Sequence, residues 1–398
     1  MRRATLAFIF VTVALDMLAL GIMVPVLPKL VLEFEGGDTA RAATMIGLFT
    51  TVFAAMQFVC SPVLGALSDR YGRRPVILLS NLGLGLDYVL MALAPSLSWL
   101  FVGRTIAGIC SASVSIPGAY IADVTPPENR AASFGLLSAA FGLGFIVGPA
   151  LGGVAGNVSP RLPFWIAAAL SFMNALYGLF VLPESLPRER RAAFAWSRAN
   201  PVAAFALLRR HTQVWTLAGV AFLSYWAHEA LPSTFVLYTD YRYGWNTRTV
   251  GLALAALGVA SALVQGGLVR TVVPRLGERS SLLVGIAFGL VAFLVHGLAP
   301  TGRLFCLGLP LIALWGFWGP SAQAIMTRQM EASEQGRLQG ALAGLRGVAG
   351  LVGPGLFTGV FAAAVSNGRS VTLSGAPYLL AAAMLAVGFV LSWRTTQS

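Results

Sequence analysis

Apolar residues fall along this chain in long blocks, with polar and charged residues gathered at the block ends. The blocks cover roughly 6–27, 43–65, 76–94, 99–120, 132–155, 163–182, 214–235, 249–271, 281–299, 304–326, 337–364 and 377–393. Each is near the roughly 20 residues that a helix needs to cross a hydrocarbon core. A bilayer offers no water to bare backbone groups, so runs of this length read as helices. The pattern predicts an all-α membrane protein with twelve transmembrane helices. Arg2 and Arg3 before the first block resemble the start of a signal peptide. Asp16 inside the block, Pro25 and Pro28 after it, and the lack of a small-x-small cleavage site argue instead for a first spanning helix.

The blocks repeat. An offset of 205 residues links Gly72 to Gly277, Arg70 to Arg275, Arg74 to Arg279 and Pro95 to Pro300. The same offset links Gly103 to Gly308, Gly135 to Gly340, Gly142 to Gly347, Gly148 to Gly353 and Pro149 to Pro354. Any single glycine match means little, but a constant register over so long a stretch implies duplication. Two pseudo-symmetric six-helix bundles are expected, residues 1–183 and 214–398, joined by a cytoplasmic linker at 184–213. Proteins built this way commonly bind substrate near the membrane midplane and alternate access around it.

Composition agrees with a membrane protein. The chain is 57% hydrophobic and 11% charged, too few charges to cover a soluble core of 398 residues. Its net charge of +12 comes almost wholly from arginine. With both termini inside, most of these arginines fall in cytoplasmic segments, which is the topology rule for positive charge. The densest group, Arg188, Arg190, Arg191, Arg198, Arg209 and Arg210, lies in the linker and is expected near anionic lipid headgroups. No soluble fold accompanies it, so no nucleic-acid partner is expected. Cys60, Cys110 and Cys306 have no metal-type spacing and read as packing residues. No cofactor motif, metal site or converging set of catalytic groups is found, so the chain does not read as an enzyme.

Ionisable residues inside spanning blocks carry the candidate chemistry, because burying them is costly and they usually mark a pathway. They are Asp16, Asp87, Arg104, Glu229 beside His228, and Arg346, with His296 read as structural. A carboxylate that gains and loses a positive partner can take up and release a proton. Asp16 and Asp87 are therefore expected to couple protons, with Arg104 tuning both and Glu229 as a further candidate. Gly144, Gly148 and Gly152 lie four apart and share a helix face that admits close packing, while Pro149 can bend that helix. The basic connector Gly65-Ala-Leu-Ser-Asp-Arg-Tyr-Gly-Arg-Arg-Pro-Val76 reads as a conformational latch. Asp69 is placed there at a helix start, with Arg70, Arg73 and Arg74 paired to neighbouring acids or to lipid phosphate. Gln57 and Gln323 are expected to contact substrate. Tyr88, Trp226, Trp315, Trp318 and Arg346 are added as aromatic or charged walls.

The connector's G-x-L-x-D-R-x-G-R-R pattern resembles the signature loop of the major facilitator superfamily. Gly144-x-x-x-Gly148-Pro149-x-x-Gly152-Gly153 is similar to the motif that marks antiporters within it. Further segments resemble the tetracycline–proton antiporters. They are Val13-Ala-Leu-Asp16, Ser61-Pro-Val-Leu-Gly-Ala-Leu-Ser-Asp-Arg70, Ala119-Tyr-Ile-Ala-Asp123, Phe141-Gly142, Leu182-Pro-Glu-Ser185, Leu276-Gly-Glu-Arg279 and Gln335-Gly-Arg-Leu-Gln-Gly340. The resemblance implies the major facilitator fold and export of a cation–tetracycline complex in exchange for protons. It gives importance to Asp16, Gln57, Asp69, Asp87 and Arg104. It also implies a multi-pass protein of a bacterial inner membrane, here expected as a monomer. Two positions depart from that family: Gly289 stands where it has an acid, and Ser261 where it has a histidine. The alternatives are a symporter or exchanger of a metabolite such as an organic anion, and a non-transporting receptor or scaffold.

Overall fold

The computed structural model describes residues 2–111, 116–126, 129–191, 212–331, 334–366 and 371–396. Among the described residues the apolar blocks are largely helical, and no strand occurs. In chain order they are α1 (Arg2–Met23), α2 (Leu27–Phe34), α3 (Thr39–Tyr71), α4 (Arg73–Leu93), α5 (Leu97–Cys110), α6 (Ile116–Val124), α7 (Arg130–Val158) and α8 (Leu162–Phe180). There follow α9 (Thr212–His228), α10 (Ala230–Tyr243), α11 (Thr247–Leu263), α12 (Val269–Leu276), α13 (Glu278–Leu298), α14 (Gly302–Trp315), α15 (Trp318–Arg328), α16 (Gln335–Val365) and α17 (Ala376–Thr395). A π-helical turn, Val264–Leu268, joins α11 to α12.

Among the described residues, ten helical stretches are long and apolar enough to cross a membrane. Two more crossings are each built from a pair of shorter helices. The α5–α6 crossing flanks residues 112–115, which lie outside the described set, and α9–α10 is interrupted at Glu229. The twelve crossings make an all-helical membrane protein. Large apolar side chains such as Leu79, Leu86 and Phe180 are among its most exposed, as a lipid-facing surface requires.

The repeat is visible as matched elements. α4 and α13 are both 21 residues long and begin 205 residues apart. Each follows a glycine with positive φ, 106° at Gly72 and 79° at Gly277. Only glycine enters that conformation without strain, so both copies turn sharply at the same place. α5 and α14 are both 14 residues long at the same offset, and α7 and α16 start 205 apart.

Two compact units emerge. The first contains Met1–Gly36, Val52–Ala199 and Asn246–Ala255, and the second Gly37–Thr51, Asn200–Trp245 and Ala256–Ser398. The seams fall inside α3 and α11 at nearly equivalent positions of the repeat. Within the first unit, α1 packs against α7 and α8. Its buried Ile9, Val13 and Met17 meet Tyr120, Ile121 and Ala140. Within the second, α13 packs on α14 and α17. An aromatic cluster around Tyr238, Phe305 and Tyr378 fills its core, and the Tyr238 hydroxyl donates to the His296 carbonyl at 2.7 Å. Most of the expected linker, including Arg198, Arg209 and Arg210, lies outside the described residues.

Candidate functional site

The first unit buries three expected residues on two neighbouring helices. Asp87 and Tyr88 on α4 are almost fully buried, as is Arg104 on α5. An Arg104 Nη2 lies 3.1 Å from Asp87 Oδ2 and equally far from the Met91 sulfur. The guanidinium also stands over the Phe53 ring, 5.7 Å from its centroid. Gly103 makes this possible, because a Cβ there would lie 2.7 Å from Asp87 Oδ1. That second oxygen has no hydrogen-bond partner, nor has Arg104 Nε. This buried carboxylate therefore has one oxygen paired and one open among the described residues.

Asp16 on α1 is also buried, but its partners are amides. Asn174 on α8 donates to Asp16 Oδ1 at 2.7 Å and, through the same nitrogen, to the Thr12 carbonyl at 2.9 Å. Asn81 on α4, in the amide orientation that satisfies both its ends, donates to both Asp16 oxygens and accepts from Asn174 at 3.0 Å. The expectation that Arg104 tunes both acids therefore divides. Arg104 pairs with Asp87, whereas neutral amides hold Asp16. Tyr88 lies within electrostatic range of all three charged groups. Gln57 on α3, one turn beyond Phe53, donates to the Ser111 hydroxyl at 3.0 Å.

The helix carrying Asp16 is seated on the glycine face of α7. A Cβ at Gly148 would stand 2.7 Å from the Gly21 Cα, and one at Gly144 or Gly152 would run into Met17 or the Ile22 carbonyl. Pro149 sits inside α7 against Gly21. Four-residue spacing thus permits backbone-to-backbone contact between α7 and α1.

The basic connector forms a compact ionic cluster. Arg73 is nearly buried and pairs with Asp69 at 2.6 Å and with Asp123 of α6 at 3.1 Å. It also donates to the Ser68 hydroxyl at 2.6 Å, and its backbone N–H donates to Glu184 at 2.9 Å. Ser185 donates to Asp123, and Arg191 lies 4.0 Å from Glu184. Arg74 donates to the Gly178 and Leu179 carbonyls, tying it to the C-terminal end of α8. Arg70 is exposed and lies over the Tyr71 ring. Asp69 is not at a helix start. It lies in the last turn of α3, where the helix dipole opposes an anion, and the Arg73 guanidinium compensates. The cause is Gly72, which ends α3 only three residues further on.

The second unit gathers Trp226, Glu229, Trp315, Trp318 and Arg346. Glu229 occupies the break between α9 and α10. Its Cβ and Cγ rest against Gly353 of α16, where a Cβ would approach both to 2.6 Å. Arg346, two turns earlier on α16, lies over the Tyr225 ring at 5.9 Å. Tyr225 meets Trp318 edge-on at 5.3 Å, and Trp318 stacks with Trp315 at 6.4 Å. His228 faces Trp315 at 5.9 Å. Gly289 has no room for a side chain, since a Cβ there would lie 2.7 Å from the Trp315 ring. Gln323 on α15 is exposed and joins none of these contacts.

Comparison with known proteins now fits this geometry. The profile of the Major Facilitator Superfamily matches residues 9–354. The chain belongs to the Major Facilitator Superfamily. It is 38% identical over 371 residues to a class C tetracycline resistance protein of Escherichia coli, covering 93% of each. It is 36% identical to a class D tetracycline resistance protein of Salmonella ordonez, covering 87% of each. Among solved structures it is similar to the human organic anion transporter MFSD10, with TM-score 0.71 and 25% identity over 98% of this chain and 99% of that one.

In this major facilitator protein, three residues that hold the expected ones in place were not singled out from the sequence: Asn81, Asp123 and Glu184. Asn174, which the sequence offers as a polar pocket residue, instead cages Asp16 together with Asn81, and Asp123 and Glu184 complete the ionic cluster. A mid-helix asparagine is a usable signal for Asn81, since an amide within a spanning helix needs a polar partner. Asp123 and Glu184 stand in two of the segments that resemble tetracycline antiporters, yet only the three-dimensional turn at Gly72 brings them to Arg73.

Proposed function

We propose that this major facilitator protein is a proton-coupled antiporter. It exports small amphipathic drugs of the tetracycline type from a bacterial cytoplasm across the inner membrane. The observation that carries the reading is the buried Asp87–Arg104 pair with one carboxylate oxygen unpartnered, beside an Asp16 held only by amides. Acids buried inside spanning helices are costly and persist where a proton or ion passes. The identity to tetracycline resistance proteins over most of the chain supports the drug class.

On this reading the halves 1–183 and 214–398 work as two bundles of one monomer, with both termini cytoplasmic and 184–213 as the linker. Asp87 and Asp16 carry the proton, and Arg104 compensates Asp87 when it is ionised. The α7–α1 glycine contact and the Arg73 cluster each stabilise one conformer, so they set the balance between states. No cofactor takes part.

The test is reconstitution into vesicles that enclose a pH-sensitive dye. With a proton gradient imposed, added tetracycline discharges it in proportion to transport. Asp87→Asn vesicles hold the gradient. Discharge by Asp87→Asn equal to wild type, or no discharge by any amphipathic drug with the wild-type protein, overturns the reading.

A further inference from the structure

The second unit holds two opposite charges that approach but do not pair. Arg346 lies about 16 Å along α16 from its start, well inside a spanning helix. Its side chain is exposed and has no hydrogen bond or ion pair among the described residues. The Glu229 carboxylate likewise has neither, although its side chain rests against Gly350 and Gly353, one to two turns beyond Arg346 on the same helix. An unpaired guanidinium at this depth is costly facing lipid, so it faces a water-accessible route. Its guanidinium lies over the face of Tyr225, and Trp318 meets that ring edge-on. Arginine fixed on an aromatic face keeps its N–H fork free for a planar acidic group. The Trp226 indole N–H, against Gly353 and Glu229, is buried and also lacks a partner.

We propose that Arg346, Tyr225 and Trp318 form a recognition shelf for a planar aromatic substrate carrying one ionised acidic oxygen. Tyr225 seats the guanidinium, which takes the oxygen, and the ring of Trp318 takes the flat face. In its ionised form Glu229, seated against Gly350 and Gly353 beside the shelf, acts as a charge filter that repels a solute with a second negative charge. Specificity then comes from an attractive group and a repulsive one side by side. This inference rests on the transport reading and names its substrate class. It does not depend on whether Asp16 or Asp87 carries the proton.

The test is calorimetric binding to the purified protein in lipid nanodiscs, which needs no proton gradient and no turnover. The probes are 3-hydroxy-2-naphthoate, its neutral carboxamide, and naphthalene-2,3-dicarboxylate. Wild type binds the monoanion about tenfold or more tightly than either of the others. Arg346→Ala lowers monoanion affinity about tenfold or more and leaves the carboxamide unchanged, while Arg346→Lys keeps part of the preference. Glu229→Gln improves dicarboxylate binding severalfold and does not weaken the monoanion. Equal binding of acid and amide by wild type overturns the proposal, as does an Arg346→Ala variant that keeps wild-type affinity for the monoanion. Retained thermal unfolding and monodispersity of Arg346→Lys separate lost recognition from lost folding. Failure here with intact drug-driven proton discharge rejects the shelf and spares the transport reading.

Discussion

Arg104 Nη2 lies 3.1 Å from Asp87 Oδ2, and the other oxygen of that carboxylate is buried without a partner. Removing either charge leaves the other buried without its partner, which typically costs about 3–5 kcal/mol. Asp87→Asn keeps the shape and an amide oxygen that still accepts from Arg104, whereas Arg104→Ala also empties the space of the guanidinium. Arg104→Ala is therefore expected to lower the melting temperature in detergent more than Asp87→Asn, and on the transport reading Asp87→Asn loses proton-driven export. Destabilisation by both substitutions with export retained by Asp87→Asn would mean that the pair is structural alone.

Asp16 depends on two amides that also touch each other. Asn174 and Asn81 share its carboxylate, so their contributions are coupled rather than independent. A hydrogen bond to a charged group contributes about 1.5–3 kcal/mol. Asn174→Ala and Asn81→Ala are each expected to slow export in vesicles. The double variant is expected to lose less than the summed effects expressed as free energies. Strict additivity in that cycle would show that the two amides do not serve one carboxylate.

Much of this was legible in the chain itself. Twelve apolar blocks, the 205-residue register and the basic connector each have a local cause, namely span length, duplication and positive-charge topology. The lone acids stood out because a carboxylate inside a spanning helix is rare. What stayed hidden depends on helix rotation and on who faces whom. Nothing in the local residues says that Asn174 on α8 turns toward Asp16 while Arg104 on α5 turns toward Asp87. Asp69 was misplaced at a helix start, because the reach of α3 to Tyr71 is set by Gly72 and its positive φ. The crowding of Gly289 by Trp315 is likewise a tertiary fact, since these residues lie on different helices.

The ionic cluster at the connector makes a prediction about state balance. Arg73 joins Asp69, Asp123 and Ser68 from α3 and α6, and Glu184 anchors its backbone. Arg73→Ala breaks three side-chain contacts at once, whereas Arg73→Lys keeps the charge but not the forked geometry. The export rate is expected to fall about tenfold in the alanine variant, equivalent to ~1.4 kcal/mol, and less in the lysine variant. Asp123→Asn in the Arg73→Ala background should add little, because its partner is already gone. A full further loss in that double variant would place Asp123 in a separate role.

Gly148 and Gly142 lie on the same helix and differ only in what they face. A Cβ at Gly148 would stand 2.7 Å from the Gly21 Cα of α1, whereas nothing lies within 4 Å of one at Gly142. Backbone atoms cannot move aside as a flexible side chain can, so Gly148→Ala must push α7 away from α1. Overpacking of this kind typically costs about 1–3 kcal/mol. Here it also shifts the helix that carries Asp16. Gly148→Ala is expected to reduce both thermal stability and export, and Gly142→Ala to leave export unchanged and stability unchanged or raised by up to about 1 kcal/mol, the helix-propensity gain of alanine over glycine. Gly21→Ala should repeat the Gly148 phenotype from the other side of the contact. If Gly148→Ala and Gly142→Ala behave alike in stability and transport, close approach of α7 to α1 is not what the glycine spacing provides.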